Sequence, residues 1–310
     1  MQPKCNLIID SCCDLPYEMV DREGVELIQF PYVRSDGEHS DDLFRSVSAH
    51  DFYESMRKGE TPSTAQIPVP VYRDYFERAI KSGVPTVYLC FTSGLSSTYD
   101  VAMMVHAQLM EEYPDAELYV VDTLQASIPE GLLVYEAINQ REKGMTASEL
   151  VQWANEVRYF IDCEFMVEDL DALKRGGRIP ASVAYAGSKL DVKPMLTITT
   201  EGTLALCGVA RGRKKGIRAL ADRCLSRVAE SSSISTVVIG GSDCPKDVAR
   251  LKELLQKGNE NLFVIESSVG PTIGSHVGPG MLAVCWWGAI DRREELSVTD
   301  RIARKVKGGE

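Results

Sequence analysis

The chain has 310 residues, 44% of them hydrophobic and 25% charged, proportions that exclude a disordered or low-complexity chain and provide for about two ordinary domains. A formal net charge of −11 argues against a general nucleic-acid binder, whose footprint is basic. No apolar run approaches the ~18 residues that a membrane span requires.

Met1-Gln2-Pro3-Lys4-Cys5 leads straight into a strand-like run, with no basic and apolar leader pattern, so a cytoplasmic location is expected. Nine cysteines form an odd set without Cys-x-x-Cys spacing. Cys5, Cys90 and Cys285 lie inside apolar runs and read as reduced, buried thiols, with no disulfide framework and no metal site.

Asn6-Leu7-Ile8-Ile9-Asp10 is a short buried strand, and residues 25–30 alternate as a half-buried one. A helix is predicted over 48–57, with Phe52, Tyr53 and Met56 on one side. A second is predicted over 71–81, closed by Gly83 as its C-terminal cap. Strand 84–91, helix 97–112 and strand 117–122 follow. This alternation implies βαβ units and a mostly parallel sheet. After about residue 157 the texture changes. Strand 164–168 precedes two short strands, 196–199 and 203–206, around a hairpin turn at Glu201-Gly202. Strands 236–240, 262–265 and 281–287 complete a second, mixed sheet. The expected organisation is therefore an α/β domain over 1–157, a mixed α/β domain over 158–290 and a charged extension over 291–310, either a surface helix or a frayed tail.

The phosphate-binding Gly-x-x-x-x-Gly-Lys-Ser/Thr loop is absent, as are the Gly-x-Ser-x-Gly elbow, His-Glu-x-x-His and Gly-x-Gly-x-x-Gly. What remains is a set of polar, glycine-rich strand ends. Asp10-Ser11-Cys12-Cys13-Asp14 follows the first strand, where ligands bind in open α/β sheets, although Ser11 and Asp14 read first as helix N-caps. Thr61-Pro62-Ser63-Thr64-Ala65-Gln66-Ile67-Pro68 is a proline-stiffened loop presenting three hydroxyls and an amide. Thr92-Ser93-Gly94-Leu95-Ser96-Ser97-Thr98-Tyr99 places hydroxyls and free N–H groups at a helix start, more than one cap needs and suited to an anion that only accepts hydrogen bonds. Leu173-Lys174-Arg175-Gly176-Gly177-Arg178 is a tight cationic turn, either an ordinary exposed turn or an anion site. His276 sits among four glycines and two prolines between Gly270 and Gly280, a setting that favours a ligand contact over a structural histidine. Arg211, Arg213, Lys214, Lys215 and Arg218 form a basic cluster, either a solvated helix start or a docking patch.

With these segments in place, the chain resembles the DegV family over nearly everything from Cys5 to about Asp291. The matching pieces come in family order: Ile9-Asp10-Ser11 with Asp14-Leu15-Pro16; Thr64 with Gln66; Ser93-Gly94-Leu95-Ser96 with Thr98-Tyr99; and Asp122 with Ser127 and Gly131. They continue with Leu173-Lys174, Gly176-Gly177-Arg178-Ile179, Lys193-Pro194, Arg211 with Lys214-Lys215, and His276 with Gly278-Pro279-Gly280. The resemblance implies an α/β fold of two domains, the first with a Rossmann-like, mostly parallel sheet and the second with a mixed sheet. It implies a long-chain, palmitate-like fatty acid held between them, no cofactor and no covalent chemistry of the chain's own. Carried over, Thr64 and Ser96, with Ser97 beside them, bond the carboxylate, and His276 stands close by. Ser63, Ser93, Arg178 and Arg211 become head-group or partner contacts. The partner implied is a separate fatty acid kinase that forms an acyl-phosphate from ATP, with only transient membrane contact.

Three positions depart from the family pattern: Ala65 for a serine, Ser97 for a glycine and Pro180 for a serine. The extension past Asp291 is also longer than usual. The alternatives are a serine hydrolase of fatty esters with Ser96 as nucleophile and His276 as base, a carrier of another carboxylate or a phosphorylated metabolite, and a scaffold with an empty cleft.

Overall fold

The computed structural model describes residues 3–179, 192–228 and 235–294. The first sheet is parallel, in the order β2-β1-β6-β7, from β1 Asn6–Asp10, β2 Val25–Ile28, β6 Thr86–Cys90 and β7 Leu118–Asp122. A small antiparallel sheet joins β3 Pro31–Arg34 to β4 Gly37–Ser40 and β5 Ser63–Thr64. The third sheet has six strands: β8 Ile161–Met166, β9 Val192–Ile198, β10 Leu204–Arg211, β11 Ser235–Gly241, β12 Leu262–Ser268 and β13 Leu282–Trp287. Their order is β10-β9-β8-β13-β11-β12, with β11 and β12 parallel and the other pairs antiparallel. One parallel and one mixed sheet are what the alternation of apolar runs implied.

Side-chain alternation along the strands sorts the core into layers. Leu7, Ile9, Val87 and Leu89 point from the parallel sheet toward the mixed sheet. Cys163, Phe165, Ala283 and Cys285 meet them from the other side, with α5 Ile128–Glu142 and α6 Ala147–Val157 packed into the same cluster. Ile8, Tyr88 and Cys90 face the opposite way, onto α3 Val69–Ser82 and α4 Thr98–Glu112. On the far face of the mixed sheet, Val237, Ile239, Val284 and Trp286 pack against α8 Arg213–Arg227 and α9 Pro245–Gly258. Three short helices lie elsewhere in the chain: α1 Tyr17–Val20, α2 Ala49–Arg57 and α7 Asp171–Arg175. A fourth, α10 Pro271–Val277, follows β12.

Local chemistry explains the ends. Ser48 caps α2 by accepting from Asp51 N, and Gly83 closes α3 at φ +70. Ser11 and Asp14 are not the caps they resemble. Asp10 accepts from Cys12 N, Ser11 Oγ accepts from Phe30 N, and the Asp14 side chain reaches residues far away in sequence. All nine cysteines are free thiols, and Cys5, Cys90 and Cys285 are buried. The extension begins as a turn anchored by Arg292, which donates to Ile161 O and Ile198 O. Pro180 and residues 295–310 lie outside the described residues.

Glu130, in the first turn of α5, is fully buried with its carboxyl group beside that of Asp10. Burial, followed by the Asp10 charge, holds its carboxyl well above the usual range. The unfolded chain releases this proton near pH ~4.3 and the folded chain only far higher. The associated stability is therefore full below that pH and is lost as pH rises. Glu130→Gln is expected to flatten the decline in unfolding free energy between pH 5 and pH 8, read by urea titration. An unchanged slope would assign the decline to other groups.

Candidate ligand-binding site

A cavity opens where the parallel sheet ends against the mixed sheet. Its void, counted together with the open space at the mouth, measures about 970 Å³. The inner walls are apolar: Phe30 and Phe91 from the ends of the parallel layer, Phe165 and Ala283 from β8 and β13, and Ile198 and Leu204 from the hairpin. The first strands and the 126–129 segment reach it from their C-terminal ends, the usual place for a ligand in an open α/β sheet.

Polar side chains gather at the mouth. Thr64, Gln66, Ser96, Ser97, Arg178 and His276 all line it. Pairing of β5 with β3 sets Thr64 opposite Tyr32 and Ser63 opposite Val33. Strand alternation then turns Thr64 inward and leaves Ser63 exposed. Thr64 Oγ1 lies 2.9 Å from His276 Nε2. Ser96 Oγ lies 2.7 Å from Thr98 Oγ1 and accepts from Thr98 N, so it serves the start of α4 while facing the mouth. Ser97 occupies the N-cap position of α4 without a side-chain capping bond.

The mouth is braced from both sheets. Asp10 accepts from Phe91 N and Tyr88 Oη, which fixes the start of the hydroxyl loop. Thr92 Oγ1 donates to Gly202 O at the tip of the β9–β10 hairpin, and a methyl on Gly94 would lie 2.6 Å from the same carbonyl oxygen. These two turns touch backbone to backbone, which only a residue without Cβ allows at Gly94. Arg178 Nε donates to Leu95 O at 3.3 Å, tying the Gly176-Gly177 turn to the hydroxyl loop.

His276 is half-buried on α10. Burial, followed by the Arg178 and Arg175 charges, holds its pKa down to about 4, so the ring is neutral at physiological pH. Its Nδ1 is buried without a partner among the described residues and faces Gly176, where a methyl would come within 2.2 Å of it. The glycine turn and the histidine, 100 residues apart in sequence, therefore form one feature.

The structure gathers Thr64, Ser96, Ser97, Arg178 and His276 around one opening and leaves out three of the predicted contacts. Ser63 and Ser93 are exposed, and Arg211 ends β10 on the surface; none of the three lines the cavity. Within the basic cluster, Arg213 is engaged by Asp247 and Glu168, while Arg211, Lys214, Lys215 and Arg218 are exposed. The apolar walls were not foreseen, because residues from 12 to 283 meet there without any local signature.

The family model described as "Uncharacterised protein, DegV family" matches residues 4–288. The chain belongs to the DegV family. A DegV domain-containing protein of Clostridium perfringens is 34% identical over 282 residues, 91% of this chain and 97% of that protein. The solved structure of a DegV lipid-binding protein from Thermotoga maritima superposes with a TM-score of 0.80 at 27% identity, covering 93% of this chain and 99% of that one. A fatty-acid-binding DegV family protein from Thermus thermophilus gives 0.79 at 26% identity, covering 92% and 99%. In this DegV protein, the mouth residues therefore stand in a family fold of which two solved members bind lipid or fatty acid.

Proposed function

We propose that this DegV protein binds one long-chain fatty acid, with the acyl chain inside the cavity and the carboxylate at the mouth. The observation that carries this is an apolar void closed on one side by hydroxyls, a neutral imidazole and a guanidinium. Apolar burial supplies most of the affinity: about 15 carbons at ~0.8 kcal/mol each give ~12 kcal/mol before the costs of association. The polar mouth sets direction. Thr64 can accept from His276 Nε2–H and donate its own proton to a carboxylate oxygen, while Ser96 donates to the other and Arg178 supplies charge.

In the same proposal, residues 1–157 and 158–290 are the two halves that clasp the ligand. The protein presents the exposed carboxylate to a separate fatty acid kinase, because the chain itself has no nucleotide loop. The geometry favours this carrier over a hydrolase. Ser96 Oγ is bonded to Thr98 and His276 Nε2 to Thr64, so Ser96 and His276 do not form a nucleophile–base pair.

Denaturing the purified protein, extracting it with organic solvent and analysing the extract by mass spectrometry tests the proposal. One fatty acid per chain is expected. A clean extract, with no uptake of added palmitate, would sink it. Thr64→Ala combined with Ser96→Ala is expected to weaken binding about tenfold without unfolding, as two hydrogen bonds worth ~0.7 kcal/mol each at a mouth open to water are lost.

A further inference from the structure

Helix α10 is only seven residues long, yet it contributes Thr272, Ile273, His276 and Val277 to the cavity wall. Such a short helix is not stable by itself, so something outside it must fix where His276 stands. Its C-terminal part leans on the Gly176 turn and on Tyr53, whose hydroxyl would lie 2.3 Å from a methyl at Gly274. Its N-terminus is held by two buried carboxyl groups from the other end of the chain. Asp14 Oδ1 accepts from Gly270 N at 2.8 Å, and Asp41 Oδ2 accepts from Thr272 N at 2.9 Å. Both side chains are essentially inaccessible to solvent.

Each acid is also tied to its own surroundings. Asp14 Oδ2 accepts from Ser127 Oγ at 2.6 Å, and Ser127 and Ile128 at the start of α5 line the cavity as well. Asp41 Oδ1 accepts from Leu43 N, and its backbone N donates to the carbonyl of Phe30, another wall residue. The two carboxyl groups converge at Gly270, where a methyl would come within 2.7 Å of Asp14 Oδ1 and 3.1 Å of Asp41 Oδ2. Burying two acids against each other is unfavourable unless the bonds they accept compensate. Here those bonds run to the one helix that carries the mouth histidine.

We propose that Asp14 and Asp41 are positioning residues whose carboxyl oxygens seat helix α10, so that His276 meets Thr64 and the ligand carboxylate. The consequence for binding rests on the fatty-acid proposal above; the placement of the ring does not.

Asp14 offers a clean test because its φ is +49, a conformation that glycine and asparagine both accept. Asp14→Gly removes the acceptor without straining the backbone, and Asp14→Asn restores it. The His276 ring signal is assigned in the ligand-free protein by its loss in His276→Gln. Asp14→Gly is expected to move that signal and to weaken palmitate binding about tenfold. Asp14→Asn is expected to return both to near wild-type values. An unmoved signal with wild-type affinity in Asp14→Gly, or failure of Asp14→Asn to restore them, overturns the proposal. If Asp14→Gly does not fold, Asp41→Ala against Asp41→Asn decides in the same way, and loss of folding in both truncated variants also overturns it. If the wild-type protein takes up no fatty acid, the functional proposal fails by itself, and the ring signal still decides whether the acids position His276.

Discussion

Ala283→Phe is expected to abolish fatty-acid uptake while leaving the protein folded. Ala283 is a buried residue of β13 whose side chain points from the mixed sheet toward the cavity. A benzyl group there displaces about five methylenes of ligand, which at ~0.8 kcal/mol each removes ~4 kcal/mol, or about 1,000-fold in affinity. Overpacking a filled core would cost ~1–3 kcal/mol, but here the ring has an existing void to enter. Palmitate titration by calorimetry, alongside thermal unfolding, reads both quantities. Wild-type affinity in a folded Ala283→Phe variant would place the acyl chain elsewhere.

Gly176→Ala should have the second largest effect. Gly176 has φ −73 and ψ −9, which alanine adopts freely, so the backbone offers no objection. The objection is steric: the new methyl would stand 2.2 Å from His276 Nδ1 and 2.9 Å from its Cε1. The ring must move away, and its contact with Thr64 goes with it. Fatty-acid affinity is expected to fall about 10- to 100-fold, a loss of ~1.4–2.8 kcal/mol, with the unfolding midpoint changing little. Gly177 is the matched control. It has φ +70 and open space around its Cβ position, so Gly177→Asn should bind as wild type does. Equal affinities for wild type and Gly176→Ala would remove His276 from the site.

Most of the strands were legible because both faces of each large sheet are covered, and a strand buried on both faces reads as a continuous apolar run. All five residues of β6 are buried, for example. Helix α3 begins two residues earlier than its apolar spacing predicts, because Pro70 is tolerated in a first turn. Helix α10 was hidden. Its glycines and prolines read as a loop, yet Pro271 opens it, Gly278 closes it at φ +73, and Gly274 is required by Tyr53 rather than by any turn. Strand β5, two residues long, is too short to show a period.

The hydroxyls of the site were legible as a crowd but not one by one. Thr64 and Ser63 are neighbours, and only the pairing with β3 decides which of them faces inward. Ser93 is turned out to solvent, its backbone N–H bonded to Asp122. Asp14 reads in the sequence as a local helix cap and Asp41 carries no signal there, because their partners lie 256 and 231 positions away.

The cavity wall runs from Cys12 to Ala283. During synthesis, at ~5–20 residues per second, the N-terminal sheet can form while the last wall strand has yet to be made. A nascent chain therefore displays Phe30 and Phe91 with nothing opposite them, and it has no closed space in which to keep a lipid. If the chain binds a fatty acid as proposed, loading must follow its completion. On that proposal the empty protein is less stable than the loaded one, because a bound ligand adds stability by mass action, about 4 kcal/mol at a thousandfold excess over Kd.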